Sequence, residues 1–240
     1  MDPNVVIGNN QDEGGNMDGV LSASPLFAAL DAEGAQVLRE TLIEKHVLKG
    51  QTLFEEGEPG DRLYVILDGK VKLGHSSPDG RESLMAVLGP GEMFGELSLF
   101  DPGKRAATAT ALTDASVLEL SNEQLMPWLA GRPEVAAALL QALARRLRRT
   151  NEAMADLVFS DVPGRVAKAL MDLGEKFGTV TPDGLLVTHD MTQEEIAQLV
   201  GASRETVNKA LADFTQRGWL RLESRQVLIV DVERLRRRAR

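Results

Sequence analysis

Two clusters of side chains in this 240-residue chain have the types and spacing to do chemistry. The first lies in GEMFGELSLFDPGKRAATATA, residues 91–111. Backbone amides after Phe94-Gly95-Glu96 can form a concave donor nest at the start of a short helix, and Gly95 lets a ligand approach the backbone. Glu96 can accept from a sugar hydroxyl, and Arg105 can pair with a phosphate charge. One acid, one base and a nest suit a small cyclic phosphodiester better than a triphosphate. A turn with a buried ion pair is the plain alternative for the same residues. The run lacks the GK[ST] of a triphosphate loop and has no acid cluster for a metal.

The second cluster is MTQEEIAQLVGASRETVNKALADF, residues 191–214. Thr192 and Glu195 make a capping box at a helix start, each satisfying an orphan amide. Ala197 is small where two helices cross, Gly201 falls where a tight interhelical turn needs positive φ, and Ser203 can cap the next helix. Ile196, Leu199, Val200, Val207 and Leu211 supply the inner faces. This spacing predicts a helix-turn-helix. Its second helix presents Arg204, Glu205, Asn208 and Lys209 at its N-terminal half. Arginine can contact guanine O6 and N7, and glutamate can accept from cytosine N4 in a major groove. Thr192, Ser203, Arg204, Glu205, Asn208 and Lys209 are therefore the candidate DNA contacts, with Arg221 or Arg225 of a following hairpin near phosphates.

Other chemistry is poorly served. Cysteine is absent, which removes disulfides, iron–sulfur clusters and thiolate nucleophiles. The three histidines, His46, His75 and His189, are far apart, so no metal is expected. No nucleophile–base pair emerges, and the chain does not read as an enzyme. No apolar run approaches the roughly 20 residues needed to cross a bilayer, and the N-terminus has no basic, then apolar, leader pattern. A cytoplasmic protein with no membrane partner is expected.

The net charge of −9 is unevenly spread. Residues 1–160 carry 14 Lys+Arg against 24 Asp+Glu, and residues 161–240 carry 13 against 12. A polyanion should meet the second part, where Arg204, Lys209, Arg217, Arg221 and Arg225 gather. The tail RLRRRAR adds a basic end, or simply a solvated one.

The elements that must position these clusters follow from periodicity. Residues 1–22 are rich in Asn, Gly and Asp without Lys or Arg, and read as a disordered extension. Leu26, Leu30, Val37, Leu38 and Leu42 make a helical face. From about 46 to 122, short β-branched stretches alternate with turn signals, among them Asp-Gly at 68–69 and 79–80, which predicts a small antiparallel roll enclosing a cavity. After Pro133 no Gly or Pro occurs until Pro163, so a helix of roughly 25 residues can run, with Leu139, Leu143, Leu147, Met154 and Leu157 on one stripe. A narrow seam on so long a helix predicts a parallel coiled coil with a second copy; a helix lying across the roll is the other reading. Thr150, with Asn151 beside it, interrupts the stripe and either fixes register or meets a ligand's polar edge. Asp161 then caps a helix, followed by a short strand, a helix pair and a hairpin. The class is α+β: an extension (1–22), a β-roll (23–131), a long helix (132–160) and a winged helix-turn-helix (161–240).

Taken together, GDRLYVILDGKVKL, FGELSLFDPGKR, ARRLRRTN, DVPGRVAKAL and MTQEEIAQLVGASRETVNKAL resemble the Crp–Fnr transcription factors, the cAMP receptor protein family, and most of all its actinobacterial global regulators. The resemblance covers about residues 24–240. It implies a homodimer that takes cAMP between roll and dimer helix. Gly95, Glu96 and Leu97 would line the ribose and phosphate, and Arg105 would neutralise the cyclic phosphate. Thr150 and Asn151 would face adenine from the two subunits. It also implies activation or repression at TGTGA-type two-fold operators in double-stranded DNA, with RNA polymerase as a partner. One departure stands out: the residue after the phosphate arginine is usually Ser or Thr, and here it is Ala106. A hydroxyl is missing there, so cAMP should bind more weakly unless Thr108 or a water substitutes, and a same-fold regulator with little cAMP dependence remains a second reading.

Overall fold

The structure, a computed structural model, describes residues 19–239 except 78, 81 and 102. Most of the expected disordered extension, residues 1–18, lies outside the described residues. Residues 19–22 depart from that expectation. They begin a helical segment, 19–23, and Leu21 is buried with Leu26, Phe27 and Leu38. Burying these apolar side chains outweighs the polar character of the sequence before them. Helix α1 (Ala32–Thr41) follows, capped by Asp31, whose Oδ1 accepts from the Gly34 amide at 2.8 Å. Leu26 and Leu38 face the core as expected, while Val37 is exposed.

Eight strands build the expected roll: β1 (Ile43–Val47), β2 (Thr52–Phe54), β3 (Arg62–Asp68), β4 (Val71–Ser76), β5 (Glu82–Leu88), β6 (Met93–Phe94), β7 (Thr108–Ala111) and β8 (Ala115–Ser121). They form two antiparallel sheets in the orders β1-β8-β3-β6 and β2-β7-β4-β5. Phe54, Tyr64, Ile66, Val71, Phe94 and Val117 fill the space between the sheets. Strand β3 is covered on both faces, because Leu63, Val65 and Leu67 pack under the helices. That double burial is why RLYVILD reads as a continuous apolar run rather than an alternating one. Between β6 and β7 lies one short helix, α2 (Leu97–Phe100).

Helix α3 (Asn122–Gly131) begins at a Ser121–Gln124 capping box and leads into α4 (Pro133–Phe159), 27 residues with proline in its first turn. At 1.5 Å per residue α4 spans about 40 Å. Its first turns lie on the roll, with Val135 and Leu139 buried beside Leu63 and Leu125. Leu139 therefore belongs to the roll core and departs from the expected stripe. Beyond it Leu140, Leu147, Met154 and Leu157 are exposed, the first three at steps of seven.

Asp161 caps α5 (Val162–Phe177), accepting from the Gly164 amide at 2.9 Å. Then come β9 (Gly178–Thr181), β10 (Gly184–Thr188), α6 (Gln193–Val200), α7 (Arg204–Gln216), β11 (Leu220–Glu223), β12 (Gln226–Ile229) and α8 (Val232–Arg238), with sheet order β11-β12-β10-β9. The basic tail is not a loose end. It forms α8, whose Leu235 is buried against α5, and Arg238 reaches the cap Asp161 through Nη2 at 2.7 and 2.6 Å.

The C-terminal unit docks on its own roll. Leu84, Val87 and Leu112 of the roll join its core. Around them Lys70 Nζ donates to Asp190 Oδ2 at 2.5 Å and to the Thr188 carbonyl at 2.9 Å, Lys72 Nζ meets Glu195 Oε1 at 2.7 Å, and Lys176 Nζ meets Glu92 at 2.8 Å.

Candidate functional site

The first candidate cluster converges on one cradle. Gly95 follows β6 with φ of +80°, and a Cβ there would stand 2.8 Å from Arg105 Nη1. Only glycine combines that backbone with so close a guanidinium. Glu96 is 2% exposed; its Oε1 accepts from Arg146 Nη1 at 2.7 Å, and its Oε2 has no partner among the described residues. Arg105 is 5% exposed and lies over the Phe54 ring at 4.2 Å. Its Nη1 donates to the carbonyls of Arg62 (2.8 Å) and Gly95 (2.9 Å) and to Ser98 Oγ (3.1 Å), while Nε has no partner among the described residues. Burial pulls this guanidinium below its ordinary pKa, and the nearby Tyr64 and Asp61 oppose that pull. A buried cation without a carboxylate on it, next to a buried carboxyl oxygen without a donor, is a place that gains from an anion bearing a hydroxyl.

The remaining cradle residues are less engaged. Leu97 and Ala106 are exposed, and the Thr108 hydroxyl accepts the Glu56 amide at 3.0 Å. Thr150 and Asn151 are exposed on α4 one turn beyond Arg146, and no hydrogen bond among the described residues joins them to the cradle. Thr150 Oγ1 donates instead to the Arg146 carbonyl at 3.1 Å. Arg146 is the residue that sequence reasoning missed. It sits four before Thr150, on the same face of the helix, and that phase together with the roll's position separates it from Arg145, Arg148 and Arg149.

The second cluster is a helix-turn-helix. Thr192 Oγ1 accepts from the Glu195 amide at 3.2 Å and Glu195 Oε2 accepts from the Thr192 amide at 2.8 Å, closing the capping box. Gly201 ends α6 with φ of +67°, and Ser203 Oγ accepts from the Thr206 amide at 3.2 Å to start α7. Arg204, Glu205 and Lys209 are exposed, the last two paired at 2.7 Å. Asn208 is half-buried, with its Oδ1 enclosed and lacking a partner among the described residues, so it faces outward only in part. The β11–β12 hairpin carries exposed Arg221 and Arg225; the Arg225 carbonyl accepts from Asp190 N at 3.0 Å. Burial opposes it, but Lys72 and the Thr192 amide hold the Glu195 carboxyl below its usual range. No group of three metal-ligating side chains occurs among the described residues, and no described helix is long and apolar enough to cross a membrane.

Both units match known families. Residues 44–131 match the cyclic nucleotide-binding domain and residues 164–238 the Crp-like helix-turn-helix domain. A CRP-like cAMP-activated global transcriptional regulator of Mycobacterium tuberculosis is 56% identical over 93% of this chain and 100% of its own length. The chain belongs to the Crp family of transcription regulators. The cyclic AMP receptor protein of Thermus thermophilus is 36% identical over 84% of this chain and 90% of its own. Among solved structures, a CRP-family transcriptional regulator from Thermus thermophilus superposes with a TM-score of 0.70 at 30% identity, covering 81% of this chain and 96% of that one. As a Crp-family member the chain is a DNA-binding transcription regulator with a cyclic-nucleotide domain and not an enzyme.

Proposed function

We propose that this regulator is a cAMP-responsive homodimer that binds two-fold-symmetric TGTGA-type operators. The observation that carries the ligand assignment is the cradle: Arg105 and Glu96 are nearly fully buried, each with a polar atom left unpartnered among the described residues. A cyclic phosphodiester supplies both missing partners, charge for Arg105 and a ribose hydroxyl for Glu96, with Gly95 admitting it to the backbone and Leu97 along the edge. The relatives named for cAMP support the choice of nucleotide.

The exposed Leu140, Leu147 and Met154 repeat supports a second copy along α4, which would bring Thr150 of one subunit and Asn151 of the other toward the base. Paired subunits would offer Arg204, Glu205 and Lys209 to two half-sites, with Thr192 and Ser203 at the helix starts near phosphates. Nucleotide binding beside Arg146, midway along α4, would shift the helix and with it the two recognition helices, a population shift between weak and strong DNA-binding states. Ala106 favours a second reading, in which DNA binding is specific but scarcely depends on cAMP. Titration calorimetry with cAMP tests the cradle: saturable heat that Arg105→Leu abolishes supports it, and no heat with the unaltered protein refutes it.

A further inference from the structure

We propose that Ser98 is the positioning residue of the anion-binding Arg105, holding its guanidinium fork in place for the phosphate. The proposal rests on the cAMP reading of the cradle. A guanidinium is useful to a phosphodiester only if its fork is held at a fixed angle, because two parallel hydrogen bonds need a planar match. In this protein the fork is held through Nη1. Two of its three acceptors, the carbonyls of Arg62 and Gly95, belong to the backbone and would be present with any side chain. Ser98 Oγ, at 3.1 Å, is the side-chain acceptor. Its own proton points to the Gly95 carbonyl at 3.2 Å, which directs an oxygen lone pair at Arg105 and ties the guanidinium to the glycine that would face the ligand.

The surroundings leave Ser98 little freedom. It is 5% exposed, and Gly60 backs it. A Cβ on Gly60 would lie 2.1 Å from Ser98 Oγ, 2.4 Å from Ser98 Cβ and 3.2 Å from Arg105 Cδ, so the absent side chain makes the room that the pair occupies. Phe54 closes the guanidinium face at 4.2 Å. With Nη1 locked to the protein and one face on the ring, Nε remains without a partner among the described residues. The Thr108 hydroxyl accepts the Glu56 amide at 3.0 Å and makes no hydrogen bond to Arg105 among the described residues.

A double-mutant cycle tests this on the full-length protein, with Ser98→Ala and Arg105→Lys, alone and together. Lysine keeps a charge but has no fork and no Nη1. Ser98→Ala should weaken cAMP binding about tenfold, the worth of one hydrogen bond to a charged group, while the double variant binds no more weakly than Arg105→Lys. The two phosphorothioate diastereomers of cAMP, which place sulfur on one or the other exocyclic position, give the second readout. The unaltered protein should distinguish them, and Ser98→Ala should bring their Kd ratio toward one. Equal losses from Ser98→Ala in both backgrounds, with the diastereomer ratio unchanged, would assign Ser98 a packing role and overturn the proposal. If the unaltered protein binds neither cAMP nor its analogues, the cradle reading itself fails and the role of Ser98 falls with it.

Discussion

Replacing Arg146 by methionine removes one half of the ion pair that joins the long helix to the cradle while keeping an unbranched apolar stem. The other half, Glu96, is 2% exposed and its second oxygen already lacks a partner among the described residues. Breaking a fully buried pair costs about 3–5 kcal/mol, because the remaining group stays out of water without compensation. Arg146 is 36% exposed, so water can enter where its guanidinium was and recover part of that loss. A cost of about 2 kcal/mol follows, which for a unit of this size lowers the unfolding midpoint by about 4–8 °C. Differential scanning calorimetry of the ligand-free protein reads this directly. The double variant Glu96→Met/Arg146→Met, which leaves no buried polar group behind, should regain at least half of the loss. A midpoint within 1 °C of the unaltered protein for Arg146→Met, or a double variant that is the least stable of the set, would refute the reasoning.

Other expectations follow from the same geometry. Ala106→Ser, which restores a hydroxyl beside Arg105, should tighten cAMP binding several-fold by calorimetry, and unchanged affinity would show that the position adds nothing. Asp190→Lys places a cation against Lys70 across the roll contact and should lower the unfolding midpoint in calorimetry, with Lys70→Asp added to it restoring part of the loss. Failure of that charge swap to restore would remove the contact from the account. His189 is 5% exposed, and burial holds its imidazole below the ordinary 6.5, with Lys70 adding to the pull and Asp190 and Glu195 opposing it. The unfolded chain therefore takes up the proton first; the stability contribution is complete above about pH 6.5 and declines as the pH falls below it. His189→Gln should flatten the pH dependence of the urea midpoint between pH 7.5 and pH 5.

The readability of the sequence varied with the range of the interactions involved. The helix-turn-helix was readable because its determinants are local: Thr192 and Glu195 satisfy each other three residues apart, and Gly201 and Ser203 act on their own turn. The roll was readable from Asp-Gly turns, whose Gly69 and Gly80 have positive φ. Long-range facts were not. Four arginines in ARRLRR look alike until helical phase and the roll's position bring Arg146 to Glu96. Ser98 looks like an ordinary helix residue until Gly60, 38 positions earlier, is seen behind it. The docking of Lys70 on Asp190 spans 120 positions and leaves no periodic trace. The stripe on α4 misplaced Leu139 because one apolar spacing continues from the part of the helix that lies on the roll into the part where Leu147, Met154 and Leu157 are exposed. The tail was read from charge alone, and the buried Leu235 makes it a helix.

The most direct test of the account is fluorescence anisotropy of a labelled palindromic TGTGA-type duplex, with and without saturating cAMP at one fixed salt, beside a scrambled duplex. The account predicts specific binding that cAMP tightens about tenfold, equivalent to about 1.4 kcal/mol of coupling between the cradle at Glu96 and Arg105 and the recognition helix at Arg204. Specific binding that is indifferent to cAMP would contradict the coupling while leaving the helix-turn-helix in place, and equal binding to the scrambled duplex would contradict both.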